Sequence, residues 1–241
     1  MPRPQTVVSL DPIDRKKELG FIGRFLITTY HGGKKPLKTL PFGHYMFCGE
    51  QRKGKSSSFI WYAEYLSKKL KKKRLRYKNN EGVFVKFDEA PKVKLYSNIG
   101  LGKQFVKKDL HDLIDKLDPY ANEVRIFLVD EIHTYFPKEG TTKEEKEMIA
   151  KLNAVFSQLG KRNCFVLSTA QVYGRLDKAL REQCLYMVNC YIDVYGTIVN
   201  EFIPQSEILV DDLGRWAGRP KKIFKHGLPV SQYDTKKLIR E

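Results

Sequence analysis

Eight residues, GEQRKGKS at 49–56, constrain this chain more than any other stretch. They follow an apolar run, HYMFC at 44–48, and lead into a helical pattern from Ser56 through SSSFIWYAEYLSKKLKKKRLR. In that pattern Phe59, Ile60, Tyr62, Ala63 and Leu66 share one broad side. Buried strand, glycine-containing loop and helix, in that order, make a cradle for phosphate. The glycines let the backbone wrap the anion with its N–H groups turned inward, and the helix offers its positive N-terminal end. A lysine at the position of Lys55 reaches the β- and γ-phosphates, and a hydroxyl at Ser56 ligates Mg²⁺. Chance matches to GxxxxGK[ST] arise in only about 1% of chains of this length, and the strand–helix context lowers that further. The expected contacts are Gly49, Glu50, Gln51, Arg52, Lys53, Gly54, Lys55, Ser56 and Ser57, with ATP and Mg²⁺ as cofactors.

The rest of the chain alternates strand and helix. VFVKF at 83–87 and VKLYSNI at 93–99 read as strands, and Lys107 to Leu117 reads as a helix through Leu110, Leu113, Ile114 and Leu117. VRIFLVD at 124–130 is a near-continuous apolar run, the pattern of a strand covered on both faces. A helix is expected from Lys143 to Gly160, a buried strand at NCFVLSTAQ (163–171), a short helix over 173–184, then strands MVNCYIDVY and TIVNEFI. This order predicts an α/β fold, a mostly parallel sheet with helices on both faces. Residues 1–40 read as an N-terminal extension, 41–210 as the folded domain, and 211–241 as a basic irregular tail.

Asp130 and Glu131 close the strand VRIFLVD, and a strand C-terminus beside a phosphate loop is where an open α/β sheet holds its ligand. There an Asp holds the metal's hydration shell, and a neighbouring Glu polarises the water that attacks the γ-phosphate. Gln171 ends another strand and points to the same crevice as a sensor of that phosphate, while Lys161 and Arg162 precede the strand at its rim. Charge narrows the partner. Residues 1–80 contain 19 Lys and Arg against 5 Asp and Glu, so +14 of the chain's +16 lies there and a polyanion is expected. The run Lys68 to Lys78 is one candidate surface for it and, equally, an ordinary solvated helix end. The four cysteines show no metal-site spacing, Cys48 and Cys164 read as core residues, and a reducing compartment is expected. No apolar stretch reaches the ~20 residues that a membrane span needs.

FLVDEIHTYFP at 127–137, AVFSQLGKRNCFVLSTAQVYGRLDKALRE at 154–182 and LYSNIGL at 95–101 together resemble the ATPase domain of the HerA/FtsK superfamily. The likeness covers about 44–195. It is closest to the superfamily's viral genome-packaging ATPases and zonula-occludens-toxin-like phage proteins. The resemblance implies a P-loop fold of the additional-strand type, a homo-oligomeric ring of five or six subunits, and ATP-driven movement of DNA, expected to be double-stranded. It assigns Lys55 and Ser56 to phosphate and metal, Asp130 to the metal shell, Glu131 to the water and Gln171 to sensing. Arg162 matches the position from which related motors offer an arginine to a neighbour's nucleotide, with Arg181 as its rival. Arg52 and Lys53 depart from the small residues that many relatives carry in the loop. The expected role is packaging of a viral genome, with a capsid vertex as partner, in the host cytoplasm and transiently on the virion. The alternatives are a toxin-like phage assembly ATPase, against which the lack of an apolar span counts, and a nucleotide-dependent switch that moves nothing.

Overall fold

The computed structural model describes residues 41–51, 53–72, 74–78, 84–113, 122–136, 142–173, 176–194, 197–210, 216–218, 220 and 222–226. The extension 1–40, Arg52 and the end of the helix expected over 107–117 lie outside the described residues.

The main sheet is built around β1 (Gly43–Cys48), β4 (Lys92–Ser97), β6 (Glu123–Val129) and β7 (Cys164–Ala170). It is extended by β5 (Val106–Lys107), β8 (Cys184–Ile192), β9 (Ile198–Pro204) and β12 (Lys222–His226). The strand order is β12-β9-β8-β1-β7-β6-β4-β5. Strands β8, β1, β7, β6, β4 and β5 run parallel, and β9 and β12 add antiparallel at one edge. Strand β7 lies between β1, which feeds the phosphate loop, and β6, which ends at the acids. This is the additional-strand arrangement.

Alternation along β1 divides the core. Tyr45 and Phe47 face α1 (Lys55–Leu70) with Ile126, Leu128, Phe165 and Leu167, whereas Met46 and Cys48 face α2 (Lys143–Phe156) with Phe127, Val129 and Val166. Helices therefore cover both faces, and the central strands are buried along nearly their whole length. Thr142 opens α2 with a reciprocal capping box to Glu145, which satisfies two backbone donors at that end.

Several elements differ from the sequence reading, each for a physical reason. Helix α1 stops at Leu70, although the helical pattern continues to Arg76. Phe59, Ile60 and Leu66 each contribute roughly 1.5–3 kcal/mol by burial. The next turn would be Lys71, Lys72, Lys73 and Arg74, four cations with no apolar side chain to hold it against their mutual repulsion, and Leu75 is buried only after the helix has ended. The chain instead enters a separate ribbon, β2 (Arg76–Lys78) against β3 (Phe84–Lys86), so the 83–87 strand lies outside the main sheet.

The 107–117 segment is not a regular helix. Val106–Lys107 pairs with β4 and Leu110–Leu113 forms a 3₁₀ turn, which buries Leu110. Helix α2 ends at Phe156, and Gly160 falls in a 3₁₀ turn over Leu159–Arg162. The short helix expected over 173–184 is confined to α3 (Lys178–Glu182), started by the Asp177 carboxylate, which accepts from Leu180 N. Of the 211–241 tail, residues 216–218, 220 and 222–226 are described and include strand, against the irregular structure that the Gly, Pro and Lys content suggests; the rest lies outside the described residues. Strands β10 (Leu209–Val210) and β11 (Trp216–Ala217) form a small ribbon, and β12 pairs with β9 over five residues. A partner strand distant in sequence overrides the local composition.

Candidate active site

The parallel strands deliver their C-terminal ends to one edge of the sheet, and the predicted chemistry collects there. Gly49 leaves β1 so close to β8 that a Cβ would lie 2.3 Å from the Cys190 carbonyl oxygen. Only glycine fits that approach. Gly54, at φ 83°, takes the left-handed conformation that turns the loop into α1, and its carbonyl accepts from Ser58 N at 2.8 Å. Within the loop the Lys55 ammonium donates to the carbonyls of Gly49 (2.8 Å) and Glu50 (2.7 Å), so it lies across the cradle. Burial lowers its pKa from the ordinary lysine value, while Asp130 and Glu131 are among the groups that oppose the shift. Ser56 and Ser57 occupy the first turn of α1, both half-buried; Lys53 and Glu50 form an exposed ion pair at 3.8 Å.

Asp130 and Glu131 follow β6 directly and are gripped from both neighbouring strands. From β4, Asn98 pairs its side-chain amide with the Asp130 peptide group: Asn98 Nδ2 donates to the Asp130 carbonyl (3.1 Å), and Asp130 N donates to Asn98 Oδ1 (2.9 Å). From β7, the Thr169 hydroxyl donates to Asp130 Oδ1 (2.5 Å) and accepts from Glu131 N (2.8 Å). Glu131 stands at φ 52°, ψ 59°, a left-handed conformation that costs a non-glycine residue on the order of 1 kcal/mol or more. It is held there by the Thr169 bond and by Thr134, whose N and Oγ1 both donate to the Glu131 carbonyl at 3.0 Å. Glu131 is exposed at this edge of the sheet. Gln171, also exposed, comes immediately after β7 on the same edge.

Residues 46–190 match the sequence profile of the ATPase family associated with various cellular activities (AAA). The chain belongs to that family. As an AAA-type P-loop ATPase it binds ATP and hydrolyses it, and such enzymes use the nucleotide with Mg²⁺. Among solved structures it is similar to the N-terminal domain of zonular occludens toxin from Neisseria meningitidis, at 14% identity over 79% of this chain and 96% of that one, TM-score 0.48. It is also similar to the genome packaging NTPase B204 of Sulfolobus turreted icosahedral virus 2, at 12% identity over 64% and 76%, TM-score 0.39. The cytoplasmic domain of the type VII secretion ATPase EccC from Thermomonospora curvata is a third, at 9% identity over 79% and 24%, TM-score 0.44. No curated protein sequence matches the chain at a significant level.

The residues of this AAA chain fit a magnesium nucleotide. A cradle closed to any side chain at Gly49, a helix N-terminus, a hydroxyl at Ser56 and an acid on the strand next but one are the donor set for triphosphate and a hard cation. Ser56 and Asp130 would hold Mg²⁺, which would supply positive charge against the phosphates.

The remaining predicted residues lie elsewhere. Arg162 ends the 3₁₀ turn before β7, so it sits at the N-terminal edge of the sheet, separated from Gln171 by the seven residues of β7, ~23 Å of strand. Its guanidinium donates to Gln158 Oε1 at 2.6 Å. Arg181 on α3 donates through Nε to the Leu176 carbonyl and lies over the Tyr173 ring. The structure therefore brings Lys55, Ser56, Asp130, Glu131 and Gln171 to one edge and leaves both arginines out of it.

Sequence reading missed two contributors, Thr169 and Asn98. The first lies inside the STAQ end of β7, two residues before Gln171 and so on the same face, while the second is the polar residue just past β4. Each was detectable only once the neighbouring strands were known. All four cysteines are buried and free, and no metal-binding cluster of His, Cys, Asp and Glu exists among the described residues.

Proposed function

We propose that this ATPase acts as a homo-oligomeric ring of five or six subunits that couples hydrolysis to movement of double-stranded DNA, with packaging of a viral genome into a capsid as its role. One observation carries the ring: Arg162 stands the length of β7 away from its own subunit's phosphate loop. In a ring it faces outward to a neighbour's site, where a guanidinium compensates the charge that develops on the transferred phosphoryl group. Glu131 polarises the attacking water, Gln171 senses the γ-phosphate, and Lys55 neutralises the phosphates in the bound state. The stretches 95–101, 127–137 and 154–182 support the finer assignment to the HerA/FtsK superfamily.

DNA as the polymer is supported by the concentration of positive charge in residues 1–80. Within it Lys68, Lys69, Lys71 and Lys72 are exposed at the C-terminal end of α1. No helix among the described residues is long and apolar enough to cross a membrane.

The test is ATPase activity with and without linear duplex DNA across a salt series. Several-fold stimulation is expected, with DNA affinity falling at a log–log slope of about −0.9 per phosphate neutralised. A flat response to DNA would overturn the translocase reading in favour of an assembly ATPase or a nucleotide switch.

A further inference from the structure

Thr169 makes both of its hydroxyl bonds to the two acids, and this suggests a task beyond filling the end of β7. It is 2% exposed and sits on the one strand that separates the phosphate-loop strand from the acid strand, with Phe47 of β1 as its register partner. Its single proton is committed to Asp130 Oδ1, and its lone pair receives the Glu131 N–H. One hydroxyl thus fixes where the Asp130 carboxylate points and keeps the Glu131 backbone in its left-handed conformation. With Asn98 holding the Asp130 peptide group from the other side, the pair of acids is pinned between β4 and β7.

We propose that Thr169 is the positioning residue for both acids, so that affinity for the metal–nucleotide complex and the turnover step depend on the same hydroxyl. The inference rests on the reading of Asp130 as the metal-shell acid and Glu131 as the water-polarising acid. Both bonds of the Thr169 hydroxyl go to the acids. It acts by orientation, as groups hydrogen-bonded to metal-site carboxylates do.

Valine replaces threonine at nearly equal volume and removes the hydroxyl, and with it the bond that Thr169 accepts from Glu131 N and the bond that it donates to Asp130 Oδ1. Serine keeps both bonds. The experiment titrates Mg²⁺ against binding of a fluorescent ATP analogue to the full chain, alongside kcat and KM for ATP. In Thr169→Val the half-saturating Mg²⁺ concentration should rise ~10-fold and kcat should fall 10- to 100-fold, the range seen when such supporting bonds are cut. Affinity for the analogue in EDTA should hold, because Lys55 and the loop amides are untouched. Thr169→Ser should stay within about 3-fold of wild type on every readout, the hydroxyl being retained.

If Thr169→Val fails to fold, Thr169→Ala takes its place with the same expected shifts. Valine or alanine variants with wild-type Mg²⁺ dependence and kcat would overturn the inference, as would a serine variant that falls as far as they do. Asp130→Asn separates the two levels of the argument. If it leaves the Mg²⁺ dependence unchanged, the reading of Asp130 fails; if it shifts the dependence while Thr169→Val does not, only the positioning role fails.

Discussion

The two ends of β7 divide the labour of this molecule. At its C-terminal end a buried strand gives way to polar residues: Thr169 bonds two acids, Gln171 follows exposed on the same edge, and the phosphate loop lies on the next strand. At its N-terminal end the chain leaves a 3₁₀ turn through Arg162 and the left-handed Asn163 (φ 49°), and the cation donates to Gln158 on its own segment. One end gathers negative charge, a lysine and a phosphate cradle. The other presents the positive side chain of Arg162, the length of β7 from Gln171. The lesson is that a parallel sheet concentrates the ends of its strands, and with them the candidate catalytic groups, on one edge, which is why Arg162 at the opposite edge is the group proposed to serve a neighbouring subunit.

The largest expected effect strikes the catalytic end. Lys55→Ala should abolish ATP binding, because a lysine at this position of the loop is the one that reaches the β- and γ-phosphates. Glu131→Gln should leave binding intact while kcat drops at least ~10²-fold, the lower range for loss of a proton-transfer group. Equilibrium binding and single-turnover hydrolysis measured on the two variants separate these roles. Near-normal kcat in Glu131→Gln would remove that residue from the water's activation.

A smaller effect is expected from the opposite edge, where His44 opens β1. It is fully buried, with Nε2 2.6 Å from Ser168 Oγ, Nδ1 3.1 Å from Cys184 Sγ, and its ring edge-on to Phe156. Burial pushes its pKa down to about 3 from an ordinary 6.5. The unfolded chain therefore binds a proton near pH 6.5 that the folded chain refuses until near pH 3. Stability from this group is full above pH 6.5 and falls as pH drops towards 3, by about 2 kcal/mol between pH 7.5 and 5. Denaturant midpoints should follow that slope in wild type and lose this part of it in His44→Gln. Equal slopes would mean that the imidazole takes up its proton in the folded state.

Legibility in the sequence followed the range of the interaction that decides each feature. The phosphate loop was readable because strand, glycines, lysine and helix are contiguous, and Asp130 and Glu131 because they end an unmistakably buried strand. Strand β12 was not, since its place depends on pairing with β9 twenty residues earlier, across a stretch of glycine, proline and lysine. Leu110 at helical spacing misled for a related reason: the turn it anchors is held by burial in the core beside β4 and β6, not by a continuing helix. Thr169 and Asn98 became visible only when β7 and β4 were seen to flank β6, because neither residue type at a strand end names its partner.

The most direct test of the division between the two ends is a mixing experiment. Arg162→Ala carries intact acids but lacks the outward cation, and Glu131→Gln carries the cation but cannot activate water. Each alone should be nearly inactive, since an arginine supplied from a neighbour is worth ~10³–10⁵ in kcat in other systems. Rings shown to contain both variants should recover ATPase activity, because an Arg162-bearing subunit completes the intact site beside it. Mixed rings that stay as inactive as their parents would contradict the account and return Arg181 as the next arginine to test.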